Sequence, residues 1–91
     1  MHYKSIYHPD IPKDLQNIPK NIKSRIKTAI EERLLVDPIS YGLPLRKSLH
    51  GHRKLRVGDY RIIYKINNDE VYILKIGHRK EVYPKVLSRL V

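Results

Sequence analysis

The sequence predicts an α+β fold: a strand, two helices, an antiparallel meander of three strands and a short closing helix. Apolar residues recur at helical spacing between Pro19 and Pro38. Two tight-turn signals, Gly58-Asp59 and Asn67-Asn68-Asp69, separate runs rich in β-branched and aromatic residues. Breaker residues cluster between these periodic segments and nowhere inside them.

Taken in order, residues 2–7 (HYKSIY) loosely alternate and carry aromatics, which predicts a first strand. Pro9, Asp10 and Pro12 interrupt it. Ile11, Leu15 and Ile18 then fall at i, i+4 and i+7, the spacing of a short helix, which Asn17 and Pro19 end. The following segment, PKNIKSRIKTAIEERLLVDP, is the clearest helix. Ile22, Ile26, Ala29, Ile30 and Leu34 form one stripe, with Lys20, Lys23 and Lys27 on the solvated side. Asp37-Pro38 stops it, and the two helices read as an antiparallel hairpin. Residues 37–51 hold Pro38, Gly42, Pro44 and Gly51 without sustained period, which predicts a long connection with a basic tip at Arg46-Lys47. The strands RKLRV, YRIIYKI and EVYILKI follow. The tail GHRKEVYPKVLSRLV leaves the last strand and turns helical after Pro84, with Val86, Leu87 and Leu90 as its apolar side.

With 91 residues the chain suits one domain, 1–91, and a modest core in which the elements share one hydrophobic layer. Hydrophobic residues at 41% exclude a disordered chain. The absence of cysteine excludes disulfides and thiolate metal sites and fits a reducing compartment. No apolar run follows the basic start as in a signal peptide, and none reaches membrane-span length, so a cytoplasmic protein with no membrane partner is expected. Nineteen Lys and Arg against nine acids give +10, which fits a polyanion or an acidic protein partner and equally a generally basic, solvated surface.

The distribution of charge is more informative than its total. In HGHRKLRVGDYR, residues 50–61, Asp59 is the only acid. If Gly58-Asp59 is a two-residue turn, Val57 pairs with Tyr60, Arg56 with Arg61, Leu55 with Ile62 and Lys54 with Ile63. Alternation then puts Val57, Leu55, Tyr60 and Ile62 under the helices and Lys54, Arg56 and Arg61 on the opposite face. Two arginines directly opposite cost a few tenths of a kcal/mol (~0.2–0.5) when exposed. A hydrated face tolerates that cost; an anion site uses it, since arginine forks match phosphate oxygens. GHR, residues 77–79, follows the neighbouring strand, so Arg79 approaches the same face. Two roles fit Tyr83: stacking on a base or packing in the core of the last helix. His78 reads first as a structural hydrogen-bonding residue.

These residue types fit metal-independent RNA cleavage. That reaction needs a base for the 2′-hydroxyl, cations for the scissile phosphate and an acid for the leaving 5′-oxygen. Carboxylate ligands for Mg²⁺ are lacking, so neither metal nor cofactor is expected. His50 and His52 flank Gly51 at the mouth of the face. An imidazole pKa of about 6.5 suits proton transfer, and nearby cations favour the neutral ring.

At LRVGDYRIIYKI followed by GHRKEVY, the chain resembles the RelE/ParE superfamily of type II toxins, specifically the RelE-like branch. The resemblance spans nearly the whole chain. It implies two helices packed on a small, twisted, mostly antiparallel sheet, and a toxin that cleaves mRNA in the ribosomal A site by 2′-hydroxyl attack and so inhibits translation. By resemblance, Arg61 stabilises the phosphate in the transition state and Arg79 is a phosphate ligand and general acid. Tyr83 stacks on or orients the nucleotide, and Lys54 activates the 2′-hydroxyl or stabilises charge. Well-known relatives carry a second lysine where this chain has His52, which leaves His52 and Lys54 as alternative bases. Arg46, Lys47, Arg53, Arg56, His50, His78 and Lys80 complete the expected RNA and rRNA contacts. The resemblance also implies an acidic, largely extended RelB-like antitoxin as partner. A ParE-like inhibitor that binds DNA gyrase and an inactive RNA-binding relative share the scaffold and are the alternatives.

Overall fold

A computed structural model of the chain describes residues 2–90. The first strand, β1 (Lys4–Tyr7), ends at Pro9, which has no N–H to extend a ladder. Helix α1 (Ile11–Gln16) takes Pro12 in its first turn, where that missing donor costs nothing. Pro19 is extended and caps α2 (Lys20–Ala29), its carbonyl accepting from the Ile22 and Lys23 amides. The helix continues as a π turn over Ile30–Leu34, where the Leu35 amide bonds the Ile30 carbonyl at 2.9 Å.

The connection expected over 37–51 is more ordered than its composition suggests. Asp37 caps a short helix, α3 (Pro38–Tyr41), by accepting from the Ser40 amide at 3.2 Å. Edge strand β2 (Leu43–Pro44) and a 3₁₀ turn at Lys47–Leu49 follow. The meander comprises β3 (Arg53–Val57), β4 (Tyr60–Asn67) and β5 (Glu70–His78). Helix α4 (Val82–Val86) starts before Pro84 rather than after it, because a first-turn residue needs no donor. It runs into a 3₁₀ turn, Leu87–Arg89.

The five strands lie in the order β1-β5-β4-β3-β2. The β3–β4 register is the one the turn predicts: Val57 opposite Tyr60, Arg56 opposite Arg61, Leu55 opposite Ile62 and Lys54 opposite Ile63. Gly58 opens that turn at φ 58°, a conformation that favours glycine. β1 pairs in parallel with β5, which makes the sheet mixed. A bulge at Leu74 shifts the β4–β5 register between Ile63 and Tyr64.

The expectation of one hydrophobic layer is corrected: apolar side chains form two clusters, one on each face of the sheet. Under α1 and α2, Ile11, Ile18, Ile26, Ala29, Ile30 and Leu34 pack on Leu55, Val57, Ile62, Tyr64, Val71, Ile73 and Ile76. On the outer face, Leu49, Ile63, Leu74, Val82 and Val86 form a smaller cluster beneath α4. Leu87, expected on the apolar side of that helix, is exposed, and Val82 takes its place in the core.

Tyr64 is fully buried, and its hydroxyl donates to the Pro38 carbonyl at 2.6 Å, tying α3 to the sheet. Burial pushes that hydroxyl's pKa up. A Cβ at position 42 would stand 1.8 Å from the Tyr64 oxygen, so only glycine fits there. Gly42→Ala is expected to destabilise the fold by about 1–3 kcal/mol through overpacking. A thermal midpoint unchanged within a degree would contradict this account of the Tyr64 anchor.

Candidate nucleic-acid interface

Because α4 covers only part of the outer face, the cations that alternation places there remain open to solvent. Lys54 and Arg61 are diagonal neighbours on β3 and β4, a spacing of roughly 7–8 Å between backbones. Arg56 lies directly opposite Arg61 on one side, and Gly77 of β5 on the other. Val82 packs where a side chain at Gly77 would begin, 3.4 Å from that Cβ position, which brings α4 close beside Arg61.

Lys54 Nζ lies over the Tyr83 ring, 5.9 Å from its centroid. Tyr83 itself is half-buried against the outer cluster. Of the two roles considered for it, the structure shows packing: the cluster fixes one side of the ring, while another side faces a cation. Arg61 Nη1 donates to the Gly58 carbonyl at 3.0 Å and to the Tyr60 carbonyl at 2.9 Å. This holds the guanidinium at the β3–β4 turn. Arg79 reaches the same turn from β5, with its amide on the Asp59 carbonyl at 2.8 Å and its Nε 3.7 Å from Asp59 Oδ1. Arg61 and Arg79 thus converge on Gly58-Asp59.

Other expected contacts lie elsewhere. Arg53 points to the helical side and donates through Nη2 to the Ile39 and Gly42 carbonyls at 2.6 and 2.9 Å, clamping α3. It is a structural residue in this geometry, set apart from Lys54 by strand alternation. His78 also faces the helical side: its ring meets Tyr60 edge-on at 5.6 Å, and its Nδ1 accepts from the Lys80 amide at 3.2 Å. Lys80 is exposed beyond β5. Arg46, Lys47 and His50 are exposed around the 3₁₀ turn that leads into β3. The length of β3, roughly 15 Å, separates them from the arginine turn.

His52 shares the outer face but lines a separate cleft with Lys65, Tyr72, Arg89 and Leu90. Its Nδ1 is buried with no partner. Burial first, then the Lys65 charge, lowers the imidazole pKa and keeps the ring neutral. Tyr83, by contrast, sits against Lys54. Among the described residues no group of three or more His, Asp or Glu is placed to hold a metal ion.

One buried charge cluster has no counterpart in the sequence reading. Asp14 of α1 accepts from Lys75 Nζ at 3.0 Å, from the Ile76 amide at 3.0 Å and from both terminal nitrogens of Arg89 at 2.7 Å. The three side chains are only 4%, 10% and 11% exposed. Arg89 also donates to the Leu74 carbonyl at 3.1 Å. Burial alone would raise the Asp14 pKa. Hydrogen bonds from Arg89, the Ile76 amide and Lys75 outweigh it and hold the carboxyl below its ordinary 3.8. The cluster fastens the end of the α4 segment to the sheet and so fixes Tyr83 over Lys54. Its signal in the sequence was Lys75, a lone cation in the apolar run VYILKI.

Comparison with known proteins identifies the family to which this fold belongs. Residues 6–83 match the family model described as "ParE toxin of type II toxin-antitoxin system, parDE". Toxin RelE3 of Methanocaldococcus jannaschii is 31% identical over 83 residues, covering 88% of this chain and 94% of that toxin. The RelBE2 toxin–antitoxin complex of Mycobacterium tuberculosis contains a chain with TM-score 0.81 and 30% identity, covering 87% of this chain and all of that one. A RelB–RelE antitoxin–toxin complex from Methanococcus jannaschii gives TM-score 0.69 at 30% identity, covering 87% and 95%. No helix among the described residues is long and apolar enough to cross a membrane. With its fold, its length and most of its sequence aligned to these toxins, the chain belongs to the RelE/ParE family of type II toxin–antitoxin toxins.

Proposed function

We propose that this toxin is a ribosome-dependent endoribonuclease that cuts mRNA in the A site without a metal and thereby inhibits translation in the cytoplasm. The observation that carries the reading is the convergence of Arg61 and Arg79 on one turn of a face that also presents Lys54 against Tyr83. The 2′-oxygen of the nucleotide attacks the adjacent phosphorus. Its proton passes to a base, a 2′,3′-cyclic phosphate forms, and the 5′-oxygen leaves with a proton from an acid. Arg61 neutralises charge on the phosphoryl oxygens. Arg79, solvent-facing at the same turn, supplies the second fork and the proton to the leaving oxygen. The Tyr83 ring stacks on the nucleotide. Lys54 is favoured over His52 as the group at the 2′-oxygen, because His52 opens onto a different cleft. Arg56, Arg46, Lys47, His50 and Lys80 serve as contacts to RNA phosphates in this reading.

The partner proposed for the resting state is an acidic RelB-like antitoxin, consistent with the +10 charge and with relatives solved as toxin–antitoxin complexes. The matched ParE family model favours one other reading, a gyrase inhibitor that acts by binding alone. Mapping mRNA 5′ ends after brief induction separates the two. Ribosome-dependent cuts in frame with codons are expected. Intact mRNA together with DNA breaks and an SOS response would overturn the nuclease reading in favour of gyrase.

A further inference from the structure

We infer that the cleft between α2 and the β3–β4 hairpin is a second phosphodiester-binding site, which carries RNA backbone beyond the linkage gripped at Lys54, Arg61 and Arg79. The inference rests on RNA being the target. The cleft has a volume of about 360 Å³, within the roughly 300–1,000 Å³ of ligand sites. Arg25 and Arg33 line it, with Ser24, Thr28 and one acid, Glu32, and it meets the β3 edge at Arg56, whose side chain alternation assigns to the outer face. Arg25, Thr28, Glu32 and Arg33 recur at helical spacing and so share one face of α2 and its π extension.

None of these three arginines forms an ion pair among the described residues, whereas Lys4, Lys13, Lys75, Arg79, Lys85 and Arg89 each do. Strand β2 covers β3 only at Arg53 and Lys54. The edge of β3 beyond them is therefore open, and the cleft meets it at Arg56 and Val57.

Continuity with the catalytic face comes from Gly58. Both terminal nitrogens of Arg25 lie 3.5 Å from where a Gly58 side chain would start. The carbonyl of the same residue receives Arg61. One turn is thus touched by Arg25 from the helical side, by Arg61 from the sheet and, at Asp59, by Arg79.

Chemistry favours RNA over a polypeptide here. Guanidinium forks pair bidentately with phosphate oxygens. A protein partner needs a desolvated apolar centre, and the exposed apolar side chains Ile39, Tyr41 and Leu43 lie on α3 and β2 instead.

The test is a salt titration of binding with Arg25→Gln/Arg33→Gln, which keeps the aliphatic stems and hence the fold. The probes are a labelled single-stranded oligoribonucleotide and empty 70S ribosomes. Lys20→Gln/Lys27→Gln removes the same charge from α2 outside the cleft. For two lost phosphate contacts, the slope of log K against log salt should fall by about 1.4–1.8. Affinity should drop at least about tenfold, with the Lys pair leaving the slope unchanged. Loss on the oligoribonucleotide identifies message as the occupant, and loss on ribosomes alone identifies ribosomal RNA. Equal slopes for the arginine variant and wild type on both probes overturn the inference, as does weakened binding confined to polyglutamate. Wild-type mRNA cleavage is measured in parallel. Its absence alongside a reduced slope refutes the nuclease reading and leaves the cleft, whereas cleavage with an unchanged slope does the reverse.

Discussion

Replacing Arg61 and Arg79 together by alanine is expected to slow mRNA cleavage by about 10³-fold and to abolish growth arrest on induction. Removing one preorganised donor from a transition-state oxyanion typically costs about 10²–10³ in rate. Both guanidinium groups meet at Gly58-Asp59; in the proposed reaction they act on one phosphate, so their losses are not expected to multiply. The folded state should be barely affected. Among the described residues Arg61 bonds only to its own turn, and the Arg79–Asp59 pair is exposed, worth about 0–1 kcal/mol. The check is primer extension on a translated reporter beside a thermal melt of the purified variant. Cleavage within tenfold of wild type, with the melt unchanged, would show that this turn does not grip the scissile phosphate.

Asp14→Ala is expected to destabilise the protein by roughly 3–5 kcal/mol, the range for removing one partner of a buried ion pair. Lys75 and Arg89 would then stay buried with no carboxylate between them, and the Ile76 amide would lose its acceptor. Replacing the whole cluster with apolar residues of similar volume should cost far less, because no charge is stranded. The pH dependence has a defined direction. The folded carboxyl titrates below its ordinary 3.8, so its stabilisation is present above about pH 4 and disappears as pH falls through the lower folded value. Denaturant midpoints should therefore fall as pH is lowered below about 4 in the wild type, and more gently in Asp14→Asn. Parallel profiles for the two proteins would refute the role given to this carboxylate.

The meander was legible in the sequence because its information is local. A two-residue turn fixes register, and alternation then assigns Lys54, Arg56 and Arg61 to one face without knowledge of the rest of the chain. The stripe from Ile22 to Leu34 was equally local. What escaped depends on distant partners. The parallel docking of β1 on β5 leaves no periodic trace. Asp14 lies far from Lys75 and Arg89 in sequence and reads as one more surface acid in a short helix. Arg53 looks like part of the basic run until alternation sends it to the α3 carbonyls. Arg25 and Arg33 resemble any solvated cations on α2 until the hairpin tip closes beside them.

The parallel pairing of Lys4–Tyr7 with Glu70–Ile73 has a temporal consequence. β1 cannot find its place until β5 has been made, and α1 and α2 have no completed floor to rest on before then. Long-range closure of this kind is slow and late. The sheet therefore closes only once synthesis has delivered β5, and the clamp of Arg89 on Asp14 has to follow it.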